Sequence, residues 1–216
     1  MSILELQQQL KTTIFSHDVL FSVLSKNFSN VNAKIAYMVQ KGSLIRLRKG
    51  LYTFGGLNQS SSVDLISIAN LLYAPSYLSF EYVLSYYGLI PERVYELTSA
   101  SLNAKKVFKT PFGRFSYKPI PLEVYALGVD WLYDDVNGGK FIATPEKALC
   151  DKIRADRGIG RLTQDKMANY LEFDLRIEWD SLLRLDESLI EAISIAYRSH
   201  NLKVLTALLQ KRKKYV

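Results

Sequence analysis

Few residues in this 216-residue chain could do covalent chemistry, and their spacing limits what that chemistry could be. Glu81 and Glu146 are candidates for a carboxylate pair. A metal-dependent nuclease needs one acid and then a second placed two residues before a lysine, to bind a metal and activate water. Here Glu146 and Lys147 are adjacent at an expected helix start, which breaks that spacing. No glycine-rich phosphate loop and no nucleophile-elbow signature occurs. Cys150 is the single cysteine, which excludes an internal disulfide framework and a multi-cysteine zinc site. His17 and His200, the only histidines, leave little for metal binding. Within KALCDKI, Cys150 reads as a small buried residue rather than a reactive thiol. The expectation is a protein without cofactor or metal, and not an enzyme.

Binding chemistry is better represented. Residues 44 to 54 read LIRLRKGLYTF, an alternating stretch with Arg46, Arg48 and Lys49 close together. Lys49-Gly50 suits a tight hairpin turn, because glycine takes a positive φ at no steric cost. Successive side chains on a strand point to opposite faces, so Arg46 and Arg48 are expected on one side and Ile45 and Leu47 on the other. Charge is also unevenly distributed. The chain carries +7, and residues 1 to 60 hold seven basic side chains against Glu5 and Asp18.

Three helical patterns precede that hairpin, separated by breaks that leave little room for long strands. Ile3, Leu6 and Leu10 recur at helical spacing in the first. Ser16 is an expected N-cap for a second running to about Ser25, with Val19, Leu20, Val23 and Leu24 as its apolar stripe. The third begins after Ser29-Asn30 and ends at Lys41-Gly42, with Val31, Ile35, Met38 and Val39 on one face. Its opposite side carries Ala33, Ala36, Tyr37 and Gln40, flanked by Asn30, Asn32, Lys34 and Lys41. Small residues permit close approach, amides can read base edges, and tyrosine and lysine can reach phosphates. Three helices and a basic hairpin are the order of a winged helix-turn-helix, whose recognition helix enters the major groove of double-stranded DNA. Arg46, Arg48 and Lys49 would then be backbone contacts from the wing. Winged helices also serve as protein-interaction modules, so a structural role for this unit remains the alternative.

The expected fold class is α+β: a winged helix-turn-helix over residues 1–58, then a mixed α/β domain over 63–216 with a helical C-terminus. GGLNQSSS, residues 55 to 62, suits a linker. VDLISIANLLY reads as helical, and VYELTSAS, AKKVFKT and RFSYKPI have strand character, with Pro111-Phe112-Gly113 as a turn between the last two. In SFEYVLSYYGL, Phe80, Tyr82, Tyr86 and Tyr87 read as helix packing with Gly88 as terminator. From Thr144 the chain turns helical again, with Thr144 as cap and Pro145 at the first helical position. DESLIEAISIAY and NLKVLTALLQK extend that pattern towards the basic tail Lys211, Arg212, Lys213 and Lys214, which suits a helix C-terminus. No apolar run approaches the roughly 20 residues of a membrane span. The start MSILELQQQLK lacks a cationic segment followed by an apolar core, so a cytoplasmic location without membrane association is expected.

YLSFEYVLSYYGLIPERVYELTS, TPFGRFSYKPI and IATPEKALCDKI, in that order behind RLRKGLYTF, resemble the AbiEi family of antitoxins and transcriptional regulators of type IV toxin-antitoxin systems. The resemblance covers roughly residues 15 to 155. It implies an N-terminal domain that represses the protein's own operon at an operator of repeated sequences. It also implies a C-terminal domain that counters a cognate nucleotidyltransferase-like toxin, directly or indirectly.

Overall fold

Side-chain caps fix where the first helices start. In the computed structural model, which describes residues 1–56, 64–135 and 138–214, Ser2 and Glu5 form a capping box on α1 (Ile3–Leu10). The box satisfies two backbone donors that a helix start leaves open. After β1 (Ile14–Ser16), Ser16 caps α2 (His17–Leu24) by accepting from the Val19 amide. Asn30 does the same for α3 (Val31–Gln40) through the Ala33 amide. Each cap stabilises by about 1 kcal/mol. Beyond α3 the chain reverses at Gly42, whose φ of +70° is the left-handed conformation that glycine tolerates.

β2 (Leu44–Arg48) and β3 (Leu51–Phe54) form the hairpin about Lys49-Gly50, with Gly50 at φ +80°. β1 pairs with the other edge of β3, giving an antiparallel sheet of order β1-β3-β2. The break between the first two helices holds β1, a strand not read from the sequence; its three residues are too few for an alternation to show.

Both faces of this sheet are covered. On one, Phe15, Leu44, Tyr52 and Phe54 join Leu6, Leu20, Leu24, Val31, Ile35 and Met38 in an N-terminal core. On the other, Ile14, Leu47 and Leu51 enter the larger core of the second region, and Ile45 packs against it. The apolar side of the hairpin is therefore docked on the rest of the molecule.

The second region starts with α4 (Leu65–Leu72), capped by Asp64. A six-stranded sheet follows from β4 (Ser76–Leu78), β5 (Leu97–Ser101), β6 (Lys106–Thr110), β7 (Gly113–Pro119), β8 (Val129–Asp134) and β9 (Gly138–Ala143). Its order is β6-β7-β5-β4-β9-β8, with β5–β7 and β4–β9 parallel and the other neighbours antiparallel. α5 (Phe80–Tyr86) follows β4 and ends before Gly88, as read from the sequence. α6 (Pro145–Ala155) follows β9 and is capped by Thr144 with Pro145 at its first position. The C-terminal region is helical: α7 (Gln164–Asn169), α8 (Trp179–Leu183), α9 (Glu187–Tyr197) and α10 (His200–Lys213).

The protein is thus mixed α+β with a helical C-terminal region. Residues 111 and 112 form the turn between β6 and β7 as expected, whereas β4 and the β8–β9 hairpin were not read from the sequence. The linker reading falls mostly on residues 57–62, and the boundary expected between 58 and 63 likewise lies outside the described residues. Among the described residues no helix is long and apolar enough to cross a membrane.

Candidate nucleic-acid interface

α3 turns Val31, Ile35 and Met38 into the N-terminal core, which leaves its other side facing out. Asn32, Ala33, Ala36, Tyr37, Gln40 and Lys41 are all exposed there. Tyr37, at 51% exposure, stands at the middle of this face. The Lys34 ammonium lies 4.7 Å from the Phe28 ring centre and 5.4 Å from that of Tyr37, and the Lys41 ammonium lies 5.9 Å from the latter. These cation–π contacts hold two positive charges beside the tyrosine.

The two asparagines differ in what they have left to offer. The side-chain oxygen of Asn30 is taken by its capping bond of 3.1 Å to Ala33. Asn32 Oδ1 lies 3.0 Å from His17 Nε2, which orients its amide from the start of α2. That His17 contact was not legible in the sequence, because the partners stand on separate helices.

Around the hairpin the structure corrects one expectation. Arg46 lies opposite Tyr52 and Arg48 opposite Leu51, with Leu47 as the extra residue of a β-bulge. A bulge interrupts the strict alternation on which the sequence reading rested. Arg46, facing Tyr52, continues the side of the sheet that carries the helices and is exposed. Arg48 follows Leu47 and Leu51 to the side of the second region. There it donates to the Leu71 carbonyl of α4 at 3.4 Å and to the Lys49 carbonyl at 3.1 Å. The two arginines do not share a face, although both, with Lys49, are solvent-accessible. The structure brings together Asn32, Lys34, Tyr37, Gln40 and Lys41 on α3, with Arg46 and Lys49 on the hairpin, as one candidate surface; Arg48 and Asn30 are partly engaged elsewhere.

The acids considered for catalysis have separate partners. Glu81 lies 3.5 Å from Lys118 and 3.0 Å from Lys152. Burial disfavours its charge, but a backbone hydrogen bond and the two ammonium groups hold its carboxyl below the ordinary value. Glu146 instead accepts from the Asp186 amide at 3.1 Å. Cys150 is fully buried, and burial with the nearby Asp151 pushes its thiol up.

One cluster stood out only in three dimensions. Lys147 and Asp151, four residues apart on α6, are both buried, with 2.9 Å between Nζ and Oδ1. The contact is poorly aligned for a hydrogen bond, so the attraction is chiefly Coulombic. Asp151 also accepts from the hydroxyls of Tyr77 at 3.0 Å, Ser79 at 2.7 Å and Tyr197 at 2.6 Å. Burial, reinforced by the Asp151 charge, pushes both phenols far up, which keeps them protonated as donors. The Lys147 ammonium lies 4.8 Å from the Tyr197 ring centre. A fixed i,i+4 spacing suggests a surface pair as readily as a buried one, and burial here depends on β4 and α9.

Compared with known proteins, the chain matches no family model and no curated protein. The geometry of the two regions is therefore the main guide to function.

Proposed function

We propose that this protein is a DNA-binding transcriptional repressor of its own operon and an antitoxin against a nucleotidyltransferase-type toxin. It acts in the cytoplasm by binding rather than by catalysis. The observation that carries the DNA-binding half is the outward face of α3. It presents amides, small residues and Tyr37 between two lysines, and has the cationic edge of the hairpin beside it. In this reading residues 1–58 are a winged helix-turn-helix, α3 is its recognition helix and β2–β3 its wing. Asn32 and Gln40 read base edges, while Lys34, Tyr37, Lys41, Arg46 and Lys49 meet phosphates. The antitoxin half rests on the resemblance of three segments of the second region to AbiEi proteins.

The test is binding of the purified protein to duplex DNA from immediately upstream of its gene, against a scrambled duplex, at two salt concentrations. Selective binding that weakens with salt is expected. Equal affinity for both duplexes would remove the repressor reading.

A second reading has its own support. The hairpin docks its apolar side on the second region, and Arg48 reaches across to Leu71. The winged helix would then be structural, with the second region binding a protein or nucleic-acid partner. Protection of cells from the toxin by an Arg46→Ala, Gln40→Ala variant that no longer binds DNA would separate antitoxin activity from repression.

A further inference from the structure

A cleft of about 550 Å³ opens in the second region between the ends of β7 and α6. Lys105, Lys118, Arg154 and Arg157 line it, and Asp151 is the one acid in its wall. That acid is already saturated by Lys147, Tyr77, Ser79 and Tyr197. Lys118 is shared with Glu81 at 3.5 Å, while Lys105, Arg154 and Arg157 have no ion-pair partner among the described residues. Arg154 also lines an adjoining cleft of about 340 Å³, with Arg161 and Arg198, and that second wall contains no acid. Unpaired cations converging from Lys105, from the stretch Arg154–Arg161 and from Arg198 repel one another, and an anion relieves that repulsion.

The floor of the cleft is held with some strain. Phe80 is a buried non-glycine residue at φ +59°, and its ring lies 4.4 Å beneath the Lys118 ammonium. A left-handed conformation in such a residue costs roughly 1–3 kcal/mol and clusters at ligand sites. Guanidinium forks match phosphate oxygens in pairs, which neutral ligands and single carboxylates cannot fill across two joined clefts.

We propose that these two clefts form a phosphate-binding track for a run of linked phosphates. Such a run is carried by a nucleoside polyphosphate or by the backbone of a single nucleic-acid strand. Arg154 lies at the junction, with Lys105 and Arg157 on one side and Arg161 and Arg198 on the other. The track is separate from the α3 face and does not depend on the DNA-binding reading.

The experiment uses the full chain and two probes, inorganic tripolyphosphate and a random-sequence single-stranded oligonucleotide, measured by calorimetry at low and moderate salt. Binding of either probe is expected. The Arg154→Glu, Arg157→Glu variant should lose roughly tenfold or more in affinity and show a smaller salt dependence. Both residues are exposed, so an unchanged melting temperature will report intact folding. Lys105→Glu, on the opposite wall, provides an independent second variant, and Lys26→Ala, an exposed cation of the N-terminal unit outside both sites, should bind the probes as the wild type does. Tripolyphosphate binding assigns the short-ligand source, and binding of the oligonucleotide alone assigns the strand. Absence of binding to both probes, or affinities unchanged in both glutamate variants, would overturn the track. So would loss of binding in Lys26→Ala, since the anion would then sit on the N-terminal unit.

Discussion

In the N-terminal unit the lysines and arginines stand outside a core of leucines, aromatics and a methionine, whereas in the second region a lysine and an aspartate occupy the middle of the core. Thr53, whose hydroxyl donates to the Thr13 carbonyl at 2.7 Å, is the one buried polar side chain among the first 56 residues. Desolvating a charge is costly, so a buried ion needs several partners, and Asp151 has four. An exposed cation carries little structural burden and remains free to meet a ligand. The contrast separates the charges that hold this fold from those that face outward.

The largest test of that contrast is Asp151→Ala. It would leave the Lys147 charge buried without its counter-ion, and a loss of about 3–5 kcal/mol is expected in denaturant unfolding. A nearly neutral result would mean that the buried cluster is not structural. Leu47→Ala should follow at about 2–5 kcal/mol, because it opens a cavity where the hairpin meets the second region. If the loss were only a few tenths, that docking would be loose.

Arg46→Ala should leave stability within about 0.5 kcal/mol of wild type and reduce the salt-dependence slope of DNA binding by about one. Arg48→Ala should change the slope less, because its guanidinium is already drawn to the Leu71 and Lys49 carbonyls. Equal slope changes would put the two arginines back on a common binding face. The smallest effect is expected at Glu81. Its carboxyl titrates lower in the folded protein than in the unfolded chain, so its stabilisation is present above the ordinary carboxylate range and is lost as pH falls through the lowered value. Glu81→Gln should be less stable than wild type at neutral pH and lose less stability on acidification. Parallel curves of stability against pH would show that Lys118 and Lys152 contribute nothing there.

Local signals were the legible ones. Ser16, Asn30 and Thr144 each bond the amide that their position in the sequence suggests, and Gly50 turns the hairpin where it was expected. The polar side of α3 was readable because helical periodicity needs only the neighbouring residues. Three features depend on distant chain and were not readable. β1 is a strand only because β3 lies beside it. β8 and β9 form a hairpin that leaves Trp131, Tyr133 and Phe141 exposed, so no alternation of apolar and polar residues marks it. The bulge at Leu47 moved Arg48 to the opposite face because Leu47 and Leu51 are buried together in the second core. The exposure of α3's outward side was thus legible, as was that of Arg46 and Lys49, whereas the capping use of the Asn30 oxygen, the His17 contact of Asn32 and the turning of Arg48 were not.

The small β1-β3-β2 sheet has consequences for how this protein could be rebuilt. Because Ile14, Leu47 and Leu51 are buried in the second region's core, the N-terminal unit is not an interchangeable cartridge. Grafted onto another carrier, it would present these residues as an adhesive strip inviting self-association. A chimera built to change what this unit meets should therefore exchange only the outward residues of α3 and leave the underside of the hairpin with its native neighbours.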